Sequence, residues 1–145
     1  DDSSLYGEHM TAVDMSKIHV LVVDDDVFAL NLMKRVLEEL GTDQISSAAD
    51  GYEALAVLQE AERKVDVILL DLEMPRLNGF GFIEKLRNEL LPPLSKIPVV
   101  VITGHSNKEA LDRVYELGVG LFLQKPISTH QVVTRISAAM RQEIK

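Results

Sequence analysis

Two apolar runs in this chain end in acids. Val67-Ile68-Leu69-Leu70 runs into Asp71, and Val20-Leu21-Val22-Val23 runs into Asp24-Asp25-Asp26. Runs of this kind read as buried strands. Pro75, four residues past Asp71, marks the turn that follows. If both strands lie parallel in one sheet, all these acids gather at one rim. Ionised carboxylates placed together raise one another's pKa and cost free energy unless a cation joins them. The pattern therefore points to a divalent metal held by acids, with Asp71 beside it. Two further runs end in groups with chemistry of their own. Val99-Val100-Val101-Ile102 leads to Thr103, and Leu121-Phe122-Leu123 leads to Lys125. The set is acids, a carboxylate nucleophile, a hydroxyl and an ammonium.

The elements that must position these groups follow from periodicity. Ile18 to Val23, Gln44 to Ala48, Val65 to Asp71, Val99 to Ile102 and Leu121 to Leu123 read as strands. Between and after them the apolar residues recur at helical spacing. Leu30, Met33, Leu37 and Leu40 mark the first helix, with Asp26 as its N-cap and Gly41 as its stop. Ala54, Leu55, Leu58 and Ala61 mark the second, and Ile83, Leu86 and Leu90 the third, after a turn at Asn78-Gly79. Pro92-Pro93 ends that helix and Ser95 to Pro98 reads as a longer loop. Ala110, Val114 and Leu117 mark a fourth helix, closed by Gly118, and Val133, Ile136 and Met140 a fifth. Near-continuous apolar strands suit a parallel sheet covered on both faces. Right-handed crossovers then give an α/β, doubly wound, three-layer domain. Its ligands belong at the carboxyl ends of the strands.

Composition sets the outer bounds. The chain has 145 residues, the size of one domain, and 46% are hydrophobic, enough for a core. A net charge of −8 argues against nonspecific nucleic-acid binding by this domain. There is no cysteine, hence no disulfide, thiolate zinc site or cysteine nucleophile. No apolar run approaches the roughly 18 residues that span a membrane. The first 16 residues are polar and lack the apolar centre of a secretory signal. Residues 1–16 are expected to be a disordered leader. His9-Met10 looks like a cloning junction, which makes residues 1–9 vector-derived and residues 17–145 the folded domain.

Taken in order, Val-Val-Asp24-Asp25-Asp26, Leu-Leu-Asp71-Leu-Glu-Met-Pro75 with Asn78-Gly79, Ile-Thr103-Gly104 and Gln-Lys125-Pro126 resemble the receiver domain of two-component response regulators, the CheY-like family. The resemblance runs from about Ile18 to Met140. It implies a flavodoxin-like sandwich with a five-stranded parallel sheet of order 2-1-3-4-5 and five helices. It implies that Asp71 is the phosphoacceptor and that Asp24, Asp25 and Asp71 hold Mg²⁺, with Mn²⁺ as a substitute and the backbone carbonyl of Glu73 as a further ligand. It implies that Thr103 and Lys125 contact the phosphoryl group, that Thr103 and Phe122 form the switch, and that the Lys125-Pro126 bond is cis. The side chains of Glu73 and His105 stand where the family tunes the lifetime of the phosphorylated form. The implied partners are a sensor histidine kinase or a histidine phosphotransfer protein, and a downstream output domain or protein. Neither nucleic acid nor membrane is expected to contact the domain directly, and the implied location is the cytoplasm. The domain would catalyse only its own phosphoryl transfer and autodephosphorylation, and would not be an enzyme in the usual sense.

Blander readings compete. For Asp26, capping alone suffices. Lys125 by itself would be a solvated surface charge, and Thr103 by itself a strand-end hydroxyl. His19 either packs or points outward. Ile127, where many relatives carry an aromatic residue, is expected only to pack, and Phe122 lacks the hydroxyl of the family's frequent tyrosine. A flavin mononucleotide carrier would share the sheet order, but three aspartates after the first strand repel a phosphate. A Mg-dependent small-molecule phosphohydrolase working through an aspartyl phosphate is the alternative function. Against it stands Glu73, where such enzymes carry a second aspartate.

Overall fold

The computed structural model describes residues 12–72, 74, 77–104 and 108–141. Among them five strands alternate with five α-helices: β1 His19–Val23, α1 Val27–Glu39, β2 Gln44–Ala48, α2 Gly51–Glu60, β3 Val67–Asp71, α3 Gly79–Glu89, β4 Val99–Thr103, α4 Lys108–Glu116, β5 Phe122–Gln124 and α5 Thr129–Arg141. All strand pairings are parallel, and the order is β2-β1-β3-β4-β5. This is the doubly wound architecture expected from the apolar runs.

Alternation along the strands divides the core in two. Leu21, Val23, Ile68, Leu70, Val99 and Val101 face a cluster containing Ala54 and Leu58 of α2, Phe82, Ile83 and Leu86 of α3 and Val114 of α4. Val20, Val22, Val67, Leu69, Val100, Ile102 and Leu123 face Met33, Val36 and Leu37 of α1 and Val132, Ile136 and Ala139 of α5. Successive side chains point to opposite faces of a sheet. A strand covered on both sides is therefore apolar on both faces, as β1 is from Val20 to Val23 and β3 from Val67 to Leu70.

Local signals place the helix ends. Asp26 has extended backbone and its carboxylate accepts from the Phe28 N–H, so it caps α1 as expected. Gly41 follows that helix with a φ of 79°, a left-handed conformation that glycine adopts without Cβ strain. Gly79 is demanded by space: a Cβ there would stand 2.7 Å from Leu72 Cα. Its N–H donates to Leu72 O, and the preceding Asn78 caps α3 by accepting from the Gly81 N–H. The start of α3 is thereby held close against Leu72, the residue after Asp71.

Several expectations shift. Before β1 the chain makes a 3-10 turn at Met15–Lys17, and Met15 is only 5% exposed. Within the leader expected to run through Ser16, apolar Val13 and Met15 pack against the core. The expected loop at Ser95 to Pro98 contains a 3-10 turn, Leu94–Lys96. It is held by Arg87, which donates to the carbonyls of Ser95 and Ile97. The third strand begins at Val67 and the fifth at Phe122, each later than read from the apolar run. Among the described residues no helix is long and apolar enough to cross a membrane.

Candidate functional site

Register brings the strand-end acids together. Val23 pairs with Leu70, so the residues that follow, Asp24 and Asp71, stand level on neighbouring strands. Both continue the alternation that points toward the α1 and α5 side. Asp24, Asp25 and Asp71 each offer a carboxylate oxygen, and these oxygens lie within 4.8 Å of one another. Asp24 is buried, Asp71 half-buried and Asp25 exposed. The Asp26 N–H donates to Asp24 Oδ1 at 2.9 Å, and the Asp24 N–H donates to Ala48 O, which fixes the carboxylate's direction.

The electrostatics of the cluster are those of charges held out of water. Burial pushes the Asp24 carboxyl above its ordinary pKa. The Asp26 N–H, the positive charge of Lys125 and a hydrogen bond with Asp71 offset part of that, while Asp25 adds to it. An all-oxygen set of three carboxylates is the donor chemistry Mg²⁺ prefers, and the three converge within 4.8 Å of one another. The acidic residues present therefore suit the cation.

Thr103 ends β4 and is half-buried, one register step beyond the Asp71–Ile102 pair. Val101 pairs with Phe122, so Thr103 and Phe122 are diagonal neighbours on one face of the sheet. That face is the one packed by α4, and Phe122 lies partly buried against its cluster. Lys125 follows β5. Its N–H donates to Thr103 O, which carries the ladder past the strand end, and the Lys125-Pro126 bond is cis. Asp24, Asp25 and Asp71 thus converge, and Thr103 and Lys125 stand at the ends of the next two strands. Glu73 and His105 lie outside the described residues.

One feature of the rim went unread in the sequence. A groove of about 360 Å³ runs beside the acids, lined by Phe28, Leu32 and Met33 of α1 and by Pro126 and Ile127. Phe28 is 87% exposed. Its signal was available: Val27 and Phe28 fall off the buried stripe of α1, so they had to face outward. Ile127, expected only to pack, forms part of the groove wall.

Residues 20–137 match the response regulator receiver domain family. The chain belongs to that family. The receiver domain is 30% identical over 122 residues to a probable chemotaxis protein CheY of Rhizobium etli, covering 84% of this chain and 92% of that one. It is 36% identical over 130 residues to a CpxR homolog, a transcriptional regulatory protein of Haemophilus influenzae, covering 88% of this chain and 52% of the relative. The chain thus spans nearly all of one kind of relative and about half of the other. Among solved structures, the chemotaxis protein CheY4 of Vibrio cholerae superposes with a TM-score of 0.74 at 28% identity, covering 84% of this chain and 98% of that one. The chain is therefore a two-component signalling module. Its family is one of switches, not of classical enzymes, and membership does not favour the phosphohydrolase alternative.

Proposed function

We propose that this receiver domain is a phosphorylation-activated switch in which Asp71 accepts a phosphoryl group from a phosphohistidine of a sensor histidine kinase or phosphotransfer protein. The observation that carries the reading is the convergence of the Asp24, Asp25 and Asp71 carboxylates, with the charge of Lys125 felt at Asp24. A carboxylate oxygen of Asp71 attacks phosphorus in line. The donor's P–N bond breaks, its electron pair stays on the imidazole nitrogen, and a P–O bond forms, leaving an acyl phosphate.

Asp24, Asp25 and Asp71 would hold Mg²⁺, or Mn²⁺ in its place. When bound, the ion neutralises charge on the phosphoryl oxygens. Thr103 donates its hydroxyl to one phosphoryl oxygen, and Lys125 pairs with another through a charge-assisted hydrogen bond. Drawing Thr103 toward the phosphoryl group frees space on the face it shares with Phe122, and Phe122 turns into it. The surface of α4, β5 and α5 changes with it, to be read by an output domain or protein. Exposed Phe28 and the groove beside it give a donor protein an apolar foothold next to Asp25. The domain works in the cytoplasm, where sensor kinases expose their phosphohistidine.

The test is labelling with Mg²⁺ and acetyl phosphate followed by mass spectrometry. One phosphoryl group should be gained, on Asp71. Asp25→Ala should lose labelling while keeping its circular dichroism spectrum. Equal labelling of Asp71→Asn would overturn the reading.

A further inference from the structure

We propose that residues 12–18 form a strap that holds α5 in place and acts through that helix on β5, the strand leading to Lys125. The strap lies before residue 20, where the family match begins. Three contacts tie it down. The Val13 N–H donates to Ser137 Oγ on α5 at 2.9 Å, and Ser137 is buried. Met15 is buried in the cluster that holds Val36 and Leu37 of α1 and Ile136 and Ala139 of α5. The Met15 carbonyl accepts from the N–H of Asp43, which joins the strap to the corner between α1 and β2. Asp14 stiffens the turn by accepting from the N–H and hydroxyl of Ser16.

From Ser137 the path to the sheet is short. Arg135, two residues earlier on α5, donates from Nε to Phe122 O at 2.9 Å. β5 is an edge strand, whose outward carbonyls need a partner from outside the sheet. Arg135 supplies one at the residue next to Leu123, whose side chain enters the same cluster as Met15. Two independent connections, one polar and one apolar, thus join the strap to β5. Lys125 follows that strand directly and Phe122 begins it, so a shift of α5 is carried to both. Coupling is reciprocal by linkage: whatever repositions β5 also loosens or tightens the strap.

The experiment is amide hydrogen exchange and backbone chemical shifts in the full chain, with no phosphodonor, so its outcome is separate from that of phosphorylation. Val13→Pro removes the donor and Ser137→Ala the acceptor of one bond. Val13→Ala keeps the donor and controls for the side chain. Loss of one such bond should speed exchange in α5 roughly fivefold. The double variant should add nothing further, because both changes delete the same interaction. Exchange in α2 should stay at the parent rate, and the amide resonances of Phe122 to Lys125 should move in both single variants, more than in Val13→Ala. Additive effects, equal acceleration in every element, or unmoved β5 resonances beside a loosened α5 would each overturn the proposal.

Discussion

Asp24 and Asp71 stand side by side because Val23 pairs with Leu70 across β1 and β3, and the two carboxyls share a hydrogen bond. A slip of one residue in that pairing would send one acid to the opposite face of the sheet. Acids on adjacent strands of a buried sheet are unfavourable without a cation, which makes the site a local expense in stability.

That expense is measurable at Asp24. Burial raises its pKa, so the folded state keeps a proton that the unfolded state releases. Without metal, stability should therefore fall as pH climbs above the ordinary carboxylate value of about 4. Asparagine keeps an oxygen for the Asp26 N–H and has no charge to bury. Asp24→Asn should raise the melting temperature of the metal-free protein by a few degrees, about 1 kcal/mol. The gap to the parent should widen with rising pH, while Mg²⁺ affinity drops. Thermal unfolding across pH with and without Mg²⁺ checks both; a variant no more stable than the parent at neutral pH would contradict the account.

Gly79 is tested by its smallest replacement. The methyl group of Gly79→Ala would sit 2.7 Å from Leu72 Cα, forcing the loop after Asp71 away from the strand. Overpacking of this kind costs about 1–3 kcal/mol. Denaturant unfolding should show that loss, and phosphoryl labelling should slow with it.

Phe28→Ala should separate protein donors from small ones. Phe28 is 87% exposed, so the fold loses little. Transfer from a phosphorylated kinase or phosphotransfer protein should slow about tenfold or more, the loss of one aromatic anchor. Labelling by acetyl phosphate should match the parent. Equal slowing with both donors would show that Phe28 acts on the site and not on docking.

The switch is tested on Thr103 and Phe122, diagonal neighbours on the face toward α4. Beryllofluoride with Mg²⁺ should shift amide resonances along α4, β5 and α5. In Thr103→Ala those shifts should shrink while beryllofluoride still binds. Shifts of full size in that variant would remove Thr103 from the switch.

Signal lifetime is expected to depend on the side chains two residues beyond Asp71 and Thr103, namely Glu73 and His105. Glu73→Ala and His105→Ala should each change the autodephosphorylation rate severalfold without blocking phosphorylation. Decay of the phosphorylated form, followed across pH, gives the answer. Lifetimes equal to the parent in both variants would show that other groups set the rate.

What the sequence determined by itself is whatever has a local cause. Apolar runs ending in Asp24, Asp71, Thr103 and Lys125 were legible because a strand covered on both faces must be apolar throughout and must stop where polarity begins. Asp26 was legible as a cap because capping needs only one acid and the next turn of chain. What only the tertiary structure decided depends on partners far away along the chain. His19 is an example: it is fully buried, Nδ1 donates to the Arg63 carbonyl at 3.0 Å, and Nε2 lies 2.6 Å from Ser46 Oγ. No pattern near residue 19 announces those two partners. Val13 and Met15 sit in a stretch that reads as polar leader; Ser137, 124 residues beyond Val13, accepts from the Val13 N–H, and Ile136 and Ala139 belong to the cluster that takes in Met15. The same holds for Phe28 and Ile127, which face one groove because α1 and the turn after β5 flank the same strands. Periodicity tells which residues leave water; the register of β1, β3, β4 and β5 alone decides which of them meet.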